Sequence, residues 1–340
     1  MGCGLNLLIY LQSISNIPPK KKLKKLKSKI MKIKIQFVLM AALALSVSFL
    51  SCKKDKTGTD TNTDLVTHSD DQSTVANGTD EIADAMNVTI DNYTAFNGIV
   101  GSTDGITGIP CNATAVLDSA GGLRRITITF SGPNCANTRT RTGVIQLTMP
   151  LTQHWKDAGA VVTANVQNLR ITRISDGKSI VVNGTIMATN VSGGRLRDLS
   201  SLGTIVHTIT STGVTVTFDN STQRTWQIAK KRTFTYNNGV VITTIGTHTE
   251  GTVTGVSEWG TNRFGNDFIT AITQPMVIRE DCNWRLVSGQ VTHSRLLANV
   301  VVTFGLDSAG NPVTCPSGTF YMKIVWTNVN NVVRTYIIPY

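Results

Sequence analysis

Apolar residues alternate with threonine and other polar residues over much of the chain after residue 107. Residues 126–130 read Ile-Thr-Ile-Thr-Phe, and the same pattern returns at 145–149 and 214–218. Side chains of a β-strand point in alternate directions, so this period of two predicts strands with one buried and one solvated face. No strand–helix alternation accompanies it, which favours an antiparallel over a parallel sheet.

Turn-forming residues separate the predicted strands. Gly-Gly pairs stand at 121–122 and 193–194, and Asn238-Gly239 lies between two alternating runs, where it predicts a β-hairpin. The predicted fold class is therefore all-β, an antiparallel sheet or sandwich that occupies residues 107–340 as one domain.

One short helix is predicted before the β region. Thr79 can cap it, acidic residues fill its first turn, and Ile82, Ala85 and Met86 share one face. We expect this helix and a connection to occupy residues 79–106. Its small apolar face is expected to pack on the β domain.

Residues 31–52 resemble a bacterial lipoprotein signal peptide. Lysines precede an apolar run from Phe37 to Leu50, and small residues then lead to Cys52 and a charged stretch. The run has 14 residues, which suits a signal peptide and is short for the ~20 residues of a spanning helix. The resemblance implies that Cys52 is lipidated, with palmitate among its acyl chains, and begins the mature protein.

The N-terminal segments are interpreted from this pattern. Residues 1–30 are a leader or a misassigned start, and 31–51 are the signal peptide. Residues 52–78, rich in Thr, Asp, Asn and Lys, are predicted to form a lipidated flexible tether. Residues 1–51 hold nine lysines and no acid, so only about +2 of the formal charge of +11 remains from Cys52 onward. We therefore predict no nucleic-acid partner.

Four cysteines beyond Cys52 predict two disulfides, since an even number is typical of an exported chain. Of the three connectivities, pairing of Cys111 with Cys135 and of Cys282 with Cys315 is favoured, because each pair flanks one predicted pair of strands. Both pairs stand in the same order of cysteine, strand, cysteine, glycine and strand. That echo predicts two degenerate β repeats, and coincidence among common strand patterns is the alternative.

No motif in the chain predicts catalysis, a cofactor or a metal. The histidines are scattered and the cysteines lack zinc-site spacing. Nucleophile-elbow, P-loop and dinucleotide signatures are missing as well. Glu250, Glu258 and Glu280 are candidates for a glycosidase pair, which needs two carboxylates ~5–10 Å apart. Sequence does not place them, so a non-enzymatic role is predicted.

The tryptophans divide into predicted core and predicted surface. Trp226 and Trp284 lie in alternating contexts and are predicted to fill the core. Trp259 lies in a polar, glycine-bearing run and forms a candidate ligand-binding site with Asn262 and Arg263. An aromatic face can stack on a sugar ring, so an exposed Trp259 would favour glycan binding and a buried one would make it a core residue.

From Cys111 onward the chain resembles a group of uncharacterised exported lipoproteins of Bacteroidota. The matching pieces, in order, lie at 139–145, 223–226, 254–255 followed by 260–265, and 282–289. The resemblance implies a β-rich domain on a lipid anchor, and it brings no known reaction.

The function predicted from the sequence is that of a membrane-anchored cell-envelope lipoprotein with a non-enzymatic structural or interaction role. We expect it at the outer membrane, on the periplasmic or cell-surface side. Its predicted partners are the membrane, through the anchor, and either a glycan or an envelope protein. The alternative is a glycan-binding or glycan-processing surface lipoprotein.

Overall fold

The computed structural model describes residues 70–71, 74–75, 78–79, 81–83, 85–87, 89–90, 93, 96, 109–135, 137–295, 298–315, 318–328 and 331–340. All of them belong to the second of two units into which the chain divides, residues 65–340. The predicted leader, signal peptide and lipidation site at Cys52 lie outside the described residues.

Fifteen β-strands within this region form one antiparallel sheet. They are β1 (Ala113–Ala120), β2 (Leu123–Pro133), β3 (Arg139–Pro150), β4 (Ala160–Arg173), β5 (Ser179–Asn190), β6 (Thr204–Phe218), β7 (Gln223–Tyr236), β8 (Val240–Gly246), β9 (His248–Glu250), β10 (Val253–Thr261), β11 (Asp267–Arg279), β12 (Arg285–Arg295), β13 (Ala298–Leu306), β14 (Tyr321–Asn328) and β15 (Val333–Pro339). The all-β antiparallel fold predicted from the alternation is confirmed.

Strands that follow one another in sequence are neighbours in the sheet. The order is β1 to β7, then β10 to β15, while β8 pairs with β7 and β11, and β9 with β10. The hairpin predicted at Asn238-Gly239 is confirmed, because Tyr236 pairs with Val240 across that turn. Two short helical stretches, Leu196–Asp198 and Leu199–Leu202, precede β6, and a 3-10 turn follows β11.

The core lies between one face of β2–β7 and the N-terminal helical segment, by which we mean the helical residues described between 70 and 90. Ile82, Met86 and Ile90 of this segment are almost fully buried and belong to one cluster with Ile126 and Leu147 of the sheet. The segment thus packs on the β domain as predicted. Burying each such side chain stabilises the fold by about 1.5–3 kcal/mol.

The helical residues begin earlier than the sequence predicted. Asp70, Asp71 and Val75 are already helical, and Thr79 Oγ1 donates a hydrogen bond of 3.2 Å to the carbonyl of Val75. A bond to the residue four positions earlier belongs to a helix interior, so the prediction that Thr79 is the N-cap was wrong. Helical residues also lie inside 52–78, the predicted tether.

Ion pairs between this segment and the sheet explain why polar residues there are ordered. Asp70 accepts hydrogen bonds from Lys178 at 2.7 Å and from Arg173 at 3.2 Å. Glu81 accepts one from Arg139 at 3.0 Å. Asp70 of the predicted tether and Glu81 of the predicted helix therefore pair with basic residues of β3, of β4 and of the turn that follows β4.

Both predicted disulfides are confirmed. Cys111 is bonded to Cys135 and Cys282 to Cys315, with Cα atoms 5.2 and 5.1 Å apart. Each bond closes the open end of an antiparallel hairpin, β1–β2 in the first case and β12–β13 in the second. The two parts predicted to be repeats share this arrangement. Closing loops of this length stabilises by roughly 3–4 kcal/mol each in the chain-entropy model.

The two tryptophans predicted to fill the core have different environments. Trp226 is fully buried, as predicted, whereas Trp284 is 54% exposed and that prediction was wrong. Asn283 and Trp284 have φ angles of 56° and 58° in the turn between β11 and β12. Two left-handed residues in succession end the alternation of the strand, and the bulky side chain is presented to solvent.

We expect Ile82→Ala to lower the free energy of unfolding by about 2–5 kcal/mol, because it removes a side chain buried between the helical segment and the sheet. Chemical denaturation followed by circular dichroism measures this loss. Ile174→Ala is the matched control, since Ile174 is exposed in the turn between β4 and β5. Equal, small effects of both changes would contradict the docking of the helical segment.

Candidate functional site

A row of side chains crosses four neighbouring strands on the inner face of the sheet, the face that continues from the core. Strand register places Glu258 of β10 opposite Ile228 of β7 and Thr270 of β11, and Thr270 opposite His293 of β12. Directly paired residues project from the same face. A glutamate, a threonine and a histidine are thus brought side by side from positions far apart in sequence.

A lysine completes the row with an ion pair. Lys230 lies two residues after Ile228 on β7, and its Nζ is 2.7 Å from Glu258 Oε1. The Lys230 and Glu258 side chains are both almost fully buried. Removing one partner of such a pair costs about 3–5 kcal/mol, because the other charge stays buried and unpaired.

Arg224, at the other end of β7, is a second buried cation near this row. It is 1% exposed, and its guanidinium carbon lies 3.8 Å from the centre of the Phe268 ring. Burial lowers the pKa of Arg224 to about 10, and the charges of Glu258 and Asp71 act in the opposite direction. The guanidinium therefore stays charged at neutral pH. We call Arg224, Lys230, Glu258, Thr270 and His293 the ionic cluster.

His293 contacts another member of the ionic cluster through its Nδ1 atom, which lies 2.9 Å from Thr270 Oγ1. Burial lowers the pKa of His293 to about 4, Glu258 opposes that shift and Arg224 adds to it. The ring is accordingly neutral at physiological pH. A neutral imidazole beside a threonine hydroxyl can donate or accept one hydrogen bond without adding a charge to the interior.

A second histidine, which is buried, lies among aromatic rings on the same face. His207 makes edge contacts with Trp155 and Phe234, with ring centres 5.0 Å apart in both cases. Burial, and then the charge of Arg232, lower the pKa of His207 to about 4. Protonation of either histidine would therefore destabilise the folded protein.

The predicted ligand-binding residues Asn262 and Arg263 hold the structure together instead of facing solvent. Asn262 is buried, and its Oδ1 accepts hydrogen bonds from the amides of Phe264 and Asn266 in the β10–β11 turn. Arg263 Nε donates to Asp71 of the helical segment at 2.5 Å. The guanidinium also lies over an aromatic ring, that of Phe218 in β6.

Trp259, the third predicted residue, lies on the outer face of β10, opposite to that of Glu258. Its ring is stacked on His248, with centres 4.0 Å apart and planes inclined by 12°. His248 Nε2 is 3.0 Å from a carboxylate oxygen of Glu250. The side chain is half-buried, so it is neither a core residue nor a freely exposed platform. Its polar neighbours are these two residues instead of Asn262 and Arg263.

The three glutamates considered for a glycosidase pair are bound to different groups. Glu258 is paired with Lys230, and Glu250 with His248. Glu280 accepts a hydrogen bond of 2.7 Å from the amide of Val240. None of these contacts joins two of the three carboxylates. Glu258 is held by a permanent cation, whereas Glu250 contacts a histidine ring and Glu280 a backbone amide.

Within the described residues, one group of potential metal ligands is close enough to share an ion: Asp281, Cys282 and Cys315. Its two sulfur atoms are bonded to each other, so neither is available as a thiolate ligand.

The ionic cluster was not predicted from the sequence, although a signal for it exists. Arg224, Lys230 and Arg232 stand at alternate positions of β7 with Trp226 and Phe234. These positions are all even-numbered, so their side chains project from the same face of the strand. Three cations are thereby placed on the apolar face of β7. Buried cations require nearby acids, and that requirement would have directed attention to Glu258.

Comparisons of the chain with protein-family models, with curated proteins and with solved structures find no match. The helical residues that the structure describes include no helix long and apolar enough to cross a membrane.

We expect the protein to lose stability as the pH falls from about 6.5 to about 4, the interval between the ordinary pKa of histidine and that of His207 and His293 in the fold. In this interval the unfolded chain binds protons that the folded protein does not. Each histidine therefore contributes a slope of up to about 1.4 kcal/mol per pH unit.

Urea unfolding at a series of pH values measures this slope. His207→Phe should remove about half of it whatever its effect at neutral pH, and His154→Phe, at a histidine whose side chain is 33% exposed, serves as the control. A slope that is the same in all three proteins would show that the buried histidines do not titrate in this way.

Proposed function

We propose that this protein is a lipid-anchored lipoprotein of the bacterial cell envelope whose β domain has a non-enzymatic structural or interaction role. The observation that carries the proposal is the lysine-rich, apolar and small-residue pattern that ends at Cys52. Two disulfides in the described β domain support it, because such bonds persist in oxidising compartments outside the cytosol.

The environments of the charged residues support a binding or structural role over catalysis. Glu258 is held by Lys230, Asp71 by Arg263, and Asp70 by Arg173 and Lys178. Each of these carboxylates thus has a partner within the fold, and its position is explained by a structural role. The β domain is therefore proposed to act through its surface.

The proposed location is the outer membrane, on the periplasmic or cell-surface side, as in the Bacteroidota lipoproteins that the sequence resembles. The membrane is then one partner, through the acyl chains, and an envelope protein is another. Two or more acyl chains give stable membrane attachment, where a single chain gives only marginal binding.

Metabolic labelling with an alkyne fatty acid in a bacterial host tests the anchor. We expect label on the unsubstituted protein and none on Cys52→Ala, because the acyl chains have no other site. Cys3→Ala is the matched control, since Cys3 lies in the predicted leader and its loss should leave the label unchanged. Label that persists on Cys52→Ala would refute the assignment.

Glycan binding is a second candidate function, favoured by the stack of Trp259 and His248 on the outer face of the sheet. Flat rings that present an edge or face to solvent are suited to contact with the apolar face of a sugar. Glu250, bound to His248, and Gln227, opposite Trp259 in β7, supply hydrogen-bonding groups beside the stack.

A glycan array with the full protein tests this candidate. We expect Trp259→Ala to abolish binding to every glycan of the array that binds the unsubstituted protein. The lost ring contact should lower the free energy of unfolding by about 1–3 kcal/mol. Trp284→Ala removes a more exposed tryptophan elsewhere and should leave binding unchanged. Binding that survives Trp259→Ala, or an array without any bound glycan, would reject glycan recognition at this stack.

A further inference from the structure

Strand β15 is the most exposed apolar element of the described β domain. All seven of its residues are exposed. Large apolar side chains in and beside it expose between 36% and 58% of their surface: Val332, Val333, Tyr336, Ile337, Ile338 and Tyr340. So dense a group of exposed apolar residues on one strand marks an interaction surface.

The backbone of β15 also presents unpaired polar groups. Its register with β14 is regular, from Tyr321 opposite Pro339 to Thr327 opposite Val333, and Tyr340 donates its amide to the carbonyl of Phe320 at 3.0 Å. In an antiparallel pair the residues alternate between bonding to the neighbouring strand and facing away from it. The residues that face away from β14 are therefore 333, 335, 337 and 339.

Pro339 fits this alternation independently. A proline cannot donate a hydrogen bond, so within a sheet it stands where its nitrogen faces away from the neighbouring strand. Its place among the outward-facing positions leaves the hydrogen bonds between β14 and β15 intact. The remaining outward-facing residues, Val333, Thr335 and Ile337, each offer one N–H and one C=O group.

The usual devices that protect a sheet edge are weak in β15. Edge strands are commonly blocked by lysines, prolines, bulges or covering segments. The one proline of β15, Pro339, is its last residue and leaves Val333, Thr335 and Ile337 unblocked. The pairing of β15 with β14 has no bulge, and the strand holds one charged residue, Arg334, whose guanidinium lies 5.9 Å from the centre of the Trp326 ring.

We propose that the outward edge of β15 pairs antiparallel with β15 of a second copy of this chain, joining two sheets across a two-fold axis. If this axis is perpendicular to the sheet, the same face of both copies points in the same direction. Tyr336 and Ile338 of both copies then meet on the face that carries Met322 and Ile324. The contact uses the same strand on both sides and closes at two copies.

Charge and register fit a second copy as this occupant. When Tyr336 lies opposite Tyr336 of the second copy, Thr335 of each copy lies opposite Ile337 of the other. Thr335 and Ile337 then exchange backbone hydrogen bonds between the copies. Arg334 then lies opposite Ile338, so the two arginines are separated instead of opposed, and like charges directly opposite would destabilise the pair. A self-complementary strand with one cation is thus compatible with a second copy of itself. The inference does not depend on the lipid anchor.

Light scattering coupled to size exclusion tests the proposal on the full chain, in nonionic detergent that solvates any acyl chains. We expect the mass of two copies, with dissociation on dilution over a roughly hundredfold concentration range. Thr335→Lys places two ammonium groups near the axis and should weaken the dimer at least about tenfold. Val116→Lys makes the same change at an exposed position on β1, 64% exposed, and should leave the dimer intact.

A cysteine at the axis supplies a second measurement. Tyr336→Cys should form a reducible two-copy species above the level of the unsubstituted chain, and Val116→Cys should not. Thermal unfolding of each variant confirms that it is folded. A single-copy mass at every concentration, equal effects of the two lysine substitutions, or open-ended assemblies would each overturn the proposal.

Discussion

The docking of the N-terminal helical segment on one face of β2–β7 is the interaction on which the rest of the structure depends. A sheet of alternating apolar and polar residues has a face that water cannot cover without cost. Ile82, Met86 and Ile90 cover that face in the first half of the sheet. Ion pairs of Asp70 and Glu81 with basic residues of the strands fix the segment in place.

The same docking supplies part of the compensation for the charges inside the domain. Arg224 and Lys230 stand on the apolar face of β7, where an isolated cation would be unstable. Glu258 arrives from β10 and Asp71 from the helical segment, and both compensate these charges. The polar interior is therefore a structural consequence of basic residues at inward positions. It leaves the outer face and the sheet edges as the surfaces through which the domain can meet other molecules.

The two halves of the sheet are covered unequally, and this asymmetry locates the surface most ready for a partner. In the second half, Val291, Val300 and Val302 are buried, while Met322, Ile324 and Trp326 of β14 are only partly so. Burial decreases further to β15, where every residue is exposed. Each added strand lies farther from the main core cluster, so it gains fewer apolar contacts and depends more on pairing at its free edge.

Features set by neighbours in sequence were predictable from the amino-acid sequence alone. The period of two determined the strands, Asn238-Gly239 the hairpin, and the spacing of cysteines around strand pairs both disulfides, because each depends on residues that are close along the chain. The interior position of Thr79, the exposure of Trp284 and the structural use of Asn262 and Arg263 were decided by the tertiary structure. Arg263 and Asp71 are 192 residues apart, and Asp70 and Arg173 are 103 apart. A side chain's role follows from the groups that folding brings beside it, and local spacing does not contain that information when the partner comes from a distant strand.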